Sequence, residues 1–176
     1  MNLAEQRLRV WDPLVRLLHW SLVAGFFTAY FTKEIPGPWH EIVGYIVLGV
    51  LAIRIPWGFV GSEYARFGQF VRSPSHTLAY TRNLLSGRQA RYIGHNPLGG
   101  WMSVALLFFV LATCLSGWLY TTDRYWGVEW VEELHNWFTW ITLGLIALHV
   151  SGVAFSSIHD RENLVASMFH GKKRTE

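Results

Sequence analysis

Two long stretches of the sequence carry no charged side chain. Asp, Glu, Lys and Arg are absent from Tyr92 to Thr122 and again from Leu134 to His159. Each stretch is longer than the about 20 residues that an apolar α-helix needs to cross the hydrocarbon core of a bilayer. The pattern therefore predicts transmembrane helices over 97–121 and 134–157.

Two shorter apolar stretches precede them and predict further spans over 14–32 and 40–61, the second interrupted by Arg54. Tryptophans lie near the proposed ends of these spans, at the depth where amphipathic rings settle among lipid headgroups. They are Trp11, Trp20, Trp39 and Trp57. We therefore predict an all-α integral membrane protein, in which residues 1–176 form a single domain built as a four-helix transmembrane bundle.

The charged residues predict the orientation of this bundle. All but Lys33 and Arg124 of the fifteen Lys and Arg residues lie in the N-terminal arm, in the segment 54–91 or in the tail. The other two connections are acidic and contain Glu34, Glu41, Asp123, Glu129, Glu132 and Glu133. By the positive-inside rule, both termini and the middle loop are expected in the cytoplasm. The net charge of +3 then reflects contact with membrane lipid, and no basic groove indicates nucleic acid.

Short surface helices are expected on the cytoplasmic side. In the middle loop, Ser73 is a suitable N-cap, Pro74 suits the first helical position and Gly87 follows the end. In the tail, Asp160 is the predicted N-cap and Gly171 the predicted stop. The single cysteine excludes an intrachain disulfide, and no C-x-x-C-H motif is present for covalent haem attachment.

Four histidines fall within the predicted spans at two depths. His40 begins the second span and His135 the fourth, so both are expected near the outer face. His19 lies early in the first span, near the inner face. His149 follows His135 by fourteen residues, about 21 Å along a helix and just under four turns, so the two share one helix face. The depths pair His40 with His135 and His19 with His149.

Ionisable side chains inside the hydrocarbon are costly and usually functional. Neutral imidazole is a good axial ligand for iron, and two facing imidazoles leave no open position for oxygen, which suits electron transfer. The four histidines therefore predict two bis-histidine haems. Each histidine taken alone also fits an interfacial or hydrogen-bonding role. The remaining histidines are expected not to be ligands: His76, His95, His159 and His170.

Other residues fit a porphyrin between helices. Gly44, Gly117 and Gly144 would let a flat macrocycle approach the backbone, although small residues also serve plain helix packing in membranes. Arg16 and Arg54 lie where they can pair with haem propionates. Snorkelling of these arginines to the inner headgroups is the competing interpretation.

Several motifs together resemble the bacterial cytochrome b561 family, in particular the branch similar to the cytochrome b subunits of nickel-iron hydrogenases. They are VWDPLVRLLHW at Val10–Trp20, HEIVGYIVLGVLAIRIPWGFVGSEYARF at His40–Phe67, RYIGHNPLGG at Arg91–Gly100 and the His135/His149 pair. The resemblance covers nearly the whole chain, and its R-x-x-W-G-F-x-G and G-H-N-P-x-G stretches are specific.

The resemblance implies four transmembrane helices in the bacterial inner membrane and two b-type haems (heme b). His19 and His149 would ligate the inner haem, and His40 and His135 the outer one. Members of the family exchange electrons between a partner on the outer side and the quinone pool. Some similar proteins act alone and oxidise superoxide with ubiquinone as the acceptor.

Three functions remain open from the sequence. The first is electron transfer between quinone and a periplasmic redox protein, such as a c-type cytochrome or a dehydrogenase or hydrogenase subunit. The second is a self-sufficient superoxide:ubiquinone oxidoreductase, and the third is a haem-free membrane anchor. The acidic outer connections disfavour an anionic substrate unless Lys33 and Arg124 flank the outer haem, and they suit a basic partner. Quinone is expected beside the inner haem, near His95, Tyr92 and Arg54.

Overall fold

The computed structural model describes residues 7–88 and 90–175. Four of its helices are long and apolar enough to cross a membrane. They are α1 (Pro13–Thr32), α2 (Trp39–Val60), α5 (Pro97–Tyr120) and α6 (Glu129–His159). The prediction of an all-α membrane fold with four apolar helices is confirmed. The predicted single domain also includes residues 1–6, 89 and 176, which lie outside the described residues.

The shorter elements belong to the segments between and after these helices. A 3-10 turn (Glu63–Ala65), α3 (Phe67–Phe70) and α4 (Pro74–Leu85) follow α2, and α7 (Leu164–His170) follows α6. Two short strands, β1 (Arg7–Arg9) and β2 (Lys172–Arg174), complete the set.

The fourth long helix begins earlier than its apolar stretch predicts. The sequence predicts a start at 134, whereas α6 begins at Glu129 and ends at His159. Its first turn carries Glu129 and Glu132, and negative side chains are favourable beside the positive end of the helix dipole. The helix therefore continues beyond the charge-free stretch on which the prediction rests.

The described residues form two compact units. Unit 1 comprises 7–16, 57–104 (without 89) and 148–175, and unit 2 comprises Leu17–Pro56 and Ala105–Ala147. The assignment of the whole chain to one domain stays a prediction.

The core of unit 2 is formed by apolar side chains of α1, α2 and α5. Leu51 is 0% and Val47 2% exposed, and both pack with Phe26 and Val110. Helices α1 and α2 approach closely at Gly25, where a Cβ atom would stand only 2.6 Å from Val47 Cγ2. Elsewhere on the long helices, large apolar side chains are exposed, as expected for surfaces that face lipid; Val60, for example, is 77% exposed.

In unit 1 the two chain ends are joined by backbone hydrogen bonds. Strands β1 and β2 pair antiparallel, with Leu8 opposite Lys173. The carbonyl of Gly171 accepts hydrogen bonds from the N–H groups of Val10 and Trp11, at 2.9 and 3.1 Å. The sequence analysis did not predict this small sheet, because three-residue strands have no recognisable periodicity.

The two short helices expected outside the bundle are present. Ser73 caps α4 by accepting a hydrogen bond from the His76 N–H, and Pro74 occupies the first turn. For α7 the predicted N-cap, Asp160, is wrong. Residue Asp160 lies in the turn after α6, and Asn163 Oδ1 instead accepts the N–H of Ala166 at 2.8 Å. Gly171 ends α7 at φ 80°, as the tail sequence predicts.

Candidate functional site

Unit 2 brings together His40 and His135, the two histidines predicted near the outer face. His40 lies in the first turn of α2 and His135 in the second turn of α6. Both side chains are half-buried. Their ring centroids are 5.9 Å apart and the ring planes are perpendicular, at 90°. The two imidazoles, from different helices, therefore lie side by side in an edge-on arrangement.

Each of these rings is oriented through its Nδ1 atom. The Nδ1 of His40 lies 2.8 Å from the backbone carbonyl oxygen of Ala29 in α1. The Nδ1 of His135 lies 3.0 Å from the carbonyl oxygen of Thr113 in α5 and 3.3 Å from Ser116 Oγ. A carbonyl can only accept a hydrogen bond, so each Nδ1 carries the proton. The lone pair of each neutral ring is then on Nε2, the atom available to a metal.

The separation of the rings fits one metal ion between them. A metal-bound imidazole nitrogen lies about 2 Å from the ion, so two imidazoles on opposite sides have centroids roughly 6 Å apart. No group of three or more His, Cys, Asp or Glu side chains that could hold a metal occurs among the described residues. Because a porphyrin supplies four ligands of its own, two imidazoles are sufficient for haem iron.

The predicted glycines have different surroundings. A Cβ atom at Gly117 would stand 3.0 Å from Cε1 and 3.2 Å from Nδ1 of His135, so this glycine makes room for the imidazole. A Cβ atom at Gly44, one turn after His40, would have no neighbouring atom within 4 Å. The same holds for Gly144. The environments of Gly44 and Gly144 are compatible with a flat ligand, while Gly117 acts on the His135 ring.

Three buried hydroxyls near His135 were not predicted from the sequence, and one of them, Ser116 Oγ, lies 3.3 Å from the ring. Thr142 is 0%, Ser116 5% and Thr113 8% exposed. The Oγ1 atoms of Thr113 and Thr142 are 3.4 Å apart, and each hydroxyl also bonds to a backbone carbonyl of its own helix. The spacing of Thr113, Ser116 and Gly117 was an available signal, because residues three and four apart share a helix face.

The other predicted pair, His19 and His149, is divided between the two units. His19 belongs to unit 2, where its ring packs edge-on against Trp20 with centroids 5.2 Å apart. His149 belongs to unit 1 and is half-buried in α6. Their pairing as ligands of an inner haem stays a prediction.

Arg16 and Arg54, the predicted partners of haem propionates, both interact with or are buried by residues of their own units. The Arg16 guanidinium donates to the backbone carbonyl of Phe169 at the end of α7. Arg54 is only 7% exposed on α2 in unit 2. Their roles toward propionates stay predictions.

The side chains suggested for quinone also have neighbours. The His95 ring lies 4.8 Å from that of Trp11 and 4.5 Å from that of Phe70, between centroids. The Tyr92 hydroxyl is 3.2 Å from His76 Nε2.

Comparisons with known proteins identify the family of the chain. The chain is similar to proteins called "Probable Ni/Fe-hydrogenase B-type cytochrome subunit" in three bacteria. Identity is 28% for Azotobacter chroococcum mcd 1, over 92% of this chain and 86% of the relative. It is 22% for Rhizobium leguminosarum bv. viciae, over 96% and 90%, and 26% for Cupriavidus necator, over 92% and 85%. No solved structure matches the chain significantly.

The sequence profile of the family described as prokaryotic cytochrome b561 matches residues 10–171. This range includes all four long helices and the four histidines. The chain therefore belongs to the prokaryotic cytochrome b561 family and is a multi-pass bacterial membrane protein, a b-type cytochrome that holds haem b and transfers electrons.

Proposed function

We propose that this protein carries electrons between a periplasmic redox protein and the membrane quinone pool through two haem b groups. His40 and His135 hold the outer haem, and His19 and His149 hold the inner one. The observation that carries the proposal is the His40–His135 pair, with centroids 5.9 Å apart and both Nδ1 atoms hydrogen-bonded to carbonyl oxygens.

Haem b supplies a one-electron iron couple when it is bound. The protein's part is to hold each ring in place and to set its environment. The carbonyls of Ala29 and Thr113 keep the rings of His40 and His135 in the tautomer that ligates through Nε2. Such bonds also raise the basicity of the ligand nitrogen. If His40 and His135 both held the haem iron, no position would remain open for oxygen, which would suit electron transfer.

We further propose the acidic outer surface as the docking site for the periplasmic partner. It consists of exposed carboxylates in unit 2: Glu34, Glu41, Asp123, Glu129, Glu132 and Glu133. Glu41 is adjacent to His40, and Glu132 and Glu133 are within three residues of His135. Negative charge this close to the outer site would attract and orient a basic protein. The names of the relatives make a hydrogenase one candidate, and a c-type cytochrome or another dehydrogenase subunit are others.

We propose that quinone binds beside the inner haem. Tyr92 and His95 in unit 1 carry groups that can hydrogen-bond a quinone oxygen, and Arg54 in unit 2 is a third candidate. The orientation follows from the charge distribution: both termini are cytoplasmic and the acidic outer surface faces the periplasm. Fusions of alkaline phosphatase to the C-terminus should then be inactive, and active fusions would reverse the topology.

Counting haems in purified protein tests the ligand set. A pyridine haemochrome assay should give two non-covalent haem b groups per chain. Substituting His135→Ala should remove one and His149→Ala the other, because each variant deletes an axial ligand. His76→Ala, an exposed histidine of α4, is the matched control and should keep both. An unchanged haem content in either ligand variant would refute the pairing. A wild-type protein without haem would support a role as a membrane anchor.

The superoxide:ubiquinone oxidoreductase is a second candidate, supported by two cations in the outer connections. Lys33 Nζ lies over the Tyr30 ring at 5.2 Å, and the Arg124 guanidinium lies over Tyr125 at 5.5 Å. Lys33 is also 3.8 Å from a carboxylate oxygen of Glu34, which reduces its attraction for an anion. Stopped-flow mixing with superoxide decides between the functions. Reduction near the diffusion limit would establish the oxidase, and slow reduction would favour a protein partner.

A further inference from the structure

Unit 1 contains a basic cavity at the point where the last membrane helix ends. Its volume is about 350 Å³, and it lies among the turn after α6, helix α7 and strand β2. Most of the side chains that line it are cationic or can become so. These are Arg161, His170, Lys172, Lys173 and Arg174.

The one carboxylate among the described lining residues is already neutralised. Glu162 accepts hydrogen bonds from Arg91 Nη2 at 2.9 Å and from the backbone N–H of Arg174 at 2.7 Å. Burial acts to raise the pKa of Glu162, but these bonds and the nearby cations outweigh it and hold its pKa below the usual value. Glu162 therefore remains ionised and paired with Arg91, and the remaining charge of the cavity is positive.

Two of the lining cations mainly stabilise the walls. Lys173 is only 4% exposed and its Nζ donates to the carbonyl of Tyr92 at 3.3 Å. Arg174 Nη2 donates to the carbonyls of Arg161 and Asp160, at 2.6 and 3.3 Å. These bonds fix the turn that carries Arg161, whose φ is 50°. Because the walls are held by bonds within the protein, the exposed side chains of Arg161 and Lys172 are left to meet an anion.

The surroundings of the cavity indicate what carries the anion. Large apolar side chains are exposed on the last turns of α6 and on α7: Ile158 is 80%, Phe169 60%, Phe155 53% and Val165 49% exposed. Because α6 is a membrane helix, these side chains lie beside its membrane end. An anionic head next to acyl chains is the chemistry of a phospholipid, and basic pockets at the ends of transmembrane helices bind such headgroups.

We propose that this cavity binds a phosphate group, presented by the headgroup of an anionic phospholipid beside the end of α6. Arg161 and Lys172 contact the phosphate, Arg174 and Lys173 add to the positive field, and the exposed apolar residues contact the acyl chains. Free inorganic phosphate is the other source of the same chemistry. The proposal does not depend on the haem ligands or on the direction of electron flow.

Native mass spectrometry of the delipidated holoprotein in a neutral detergent tests the proposal. Phosphatidylglycerol and phosphatidylcholine with the same acyl chains are titrated separately, and inorganic phosphate is titrated as a third probe. Phosphatidylglycerol should bind with preference, and added salt should weaken it. In the double variant Arg161→Gln/Lys172→Gln its affinity should fall roughly 30-fold, about fivefold for each cation beside an anionic headgroup.

Two further variants serve as controls. Arg66→Gln/Arg82→Gln removes the same charge from exposed positions of unit 1 outside the cavity and should bind phosphatidylglycerol like the wild type. Arg161→Lys/Lys172→Arg keeps the charge and should retain most of the affinity. If inorganic phosphate bound as tightly as the lipid, and if Arg161→Gln/Lys172→Gln abolished that binding, the cavity would be assigned to free phosphate. Equal binding of the two lipids, or equal losses in both Gln variants, would overturn the proposal.

Discussion

Around His135 in unit 2, buried polar atoms find their partners in the backbone. The imidazole bonds to the carbonyl of Thr113, and the hydroxyls of Thr113 and Thr142 bond to carbonyls of their own helices. Around Glu162 in unit 1, the partners are the guanidinium of Arg91 and the backbone N–H of Arg174. Arg91 bonds both to the Glu162 carboxylate and to the carbonyl of Arg174, each at 2.9 Å.

The difference follows from the solvent that surrounds each region. In hydrocarbon an ionised group is costly, whereas a neutral donor bonded to a carbonyl is tolerated. In unit 2 the Nδ1 atoms of His40 and His135 are accordingly bonded to backbone carbonyls and not to acidic side chains. Arg91 and Glu162 of unit 1 lie outside the long helices, and the buried carboxylate of Glu162 is paired with the Arg91 cation.

Removing the charge of Arg91 should produce the largest loss of stability. Arg91→Met removes the hydrogen-bonded cation of Glu162, whose side chain is 8% exposed, and also the donor to the Arg174 carbonyl. A loss of about 2–4 kcal/mol in the free energy of unfolding is expected, because a buried charge loses its partner. Denaturant unfolding in detergent micelles measures it. Arg88→Met, at an exposed position of the same connection, should change little. Similar stabilities of the two variants would mean that charge pairing does not hold unit 1.

Adding one methyl group at Gly117 should disturb the outer histidine pair. The new Cβ would stand 3.0 Å from the His135 ring, so Gly117→Ala should displace the imidazole and cost about 1–3 kcal/mol. The expected result is a reduced content of one haem and an altered redox titration for it. Gly49→Ala is the control, because no atom lies within 4 Å of that Cβ position. A normal haem content in Gly117→Ala would show that His135 needs no such space.

The buried hydroxyl of Thr142 should contribute a smaller amount. Thr142→Val keeps the shape but removes the bond to the Phe138 carbonyl at 2.7 Å and the contact with Thr113. The expected loss is about 0.5–1 kcal/mol, the usual net contribution of one hydrogen bond. Unfolding in mixed micelles measures it beside Thr28→Val, an exposed threonine of α1. If Thr142→Val costs several times more, the hydroxyl cluster supports more than its own helices.

Acidification should have the smallest effect and should act on unit 1. Burial raises the pKa of Asp12, but bonds from the Ser62 hydroxyl, the Val15 N–H and the Trp57 indole outweigh it, so its pKa is lowered. The ionised Asp12 carboxylate therefore stabilises the fold above about pH 4, the usual pKa of Asp. This stabilisation is lost as the pH falls through the lower pKa that Asp12 has in the folded protein. Thermal unfolding between pH 5 and 3 should show a shallower pH dependence in Asp12→Asn. The same pH dependence of thermal unfolding in Asp12→Asn and in the wild type would contradict the lowered pKa of Asp12.

Much of the fold was predictable because its main signals are local. A charge-free stretch of sufficient length forms a helix in a membrane whatever its neighbours are, since all its backbone hydrogen bonds close within the segment. The start of α6 was less predictable, because the acidic side chains of its first turn are favourable beside the helix dipole, an effect that hydropathy does not report. The N-cap of α7 was predicted wrongly because the side chains of Asp160 and Asn163 can both accept a hydrogen bond from the first turn of a helix.

The four apolar helices, the positions of the four histidines along them and the family could be predicted from residue types and their spacing. Which atoms contact one another depends on the tertiary structure. The carbonyls of Ala29 and Thr113, which orient the His40 and His135 rings, carry no side-chain signal. The pairing of β1 with β2 likewise joins opposite ends of the chain. Contacts of this kind depend on how the helices pack, and no local pattern of residues records them.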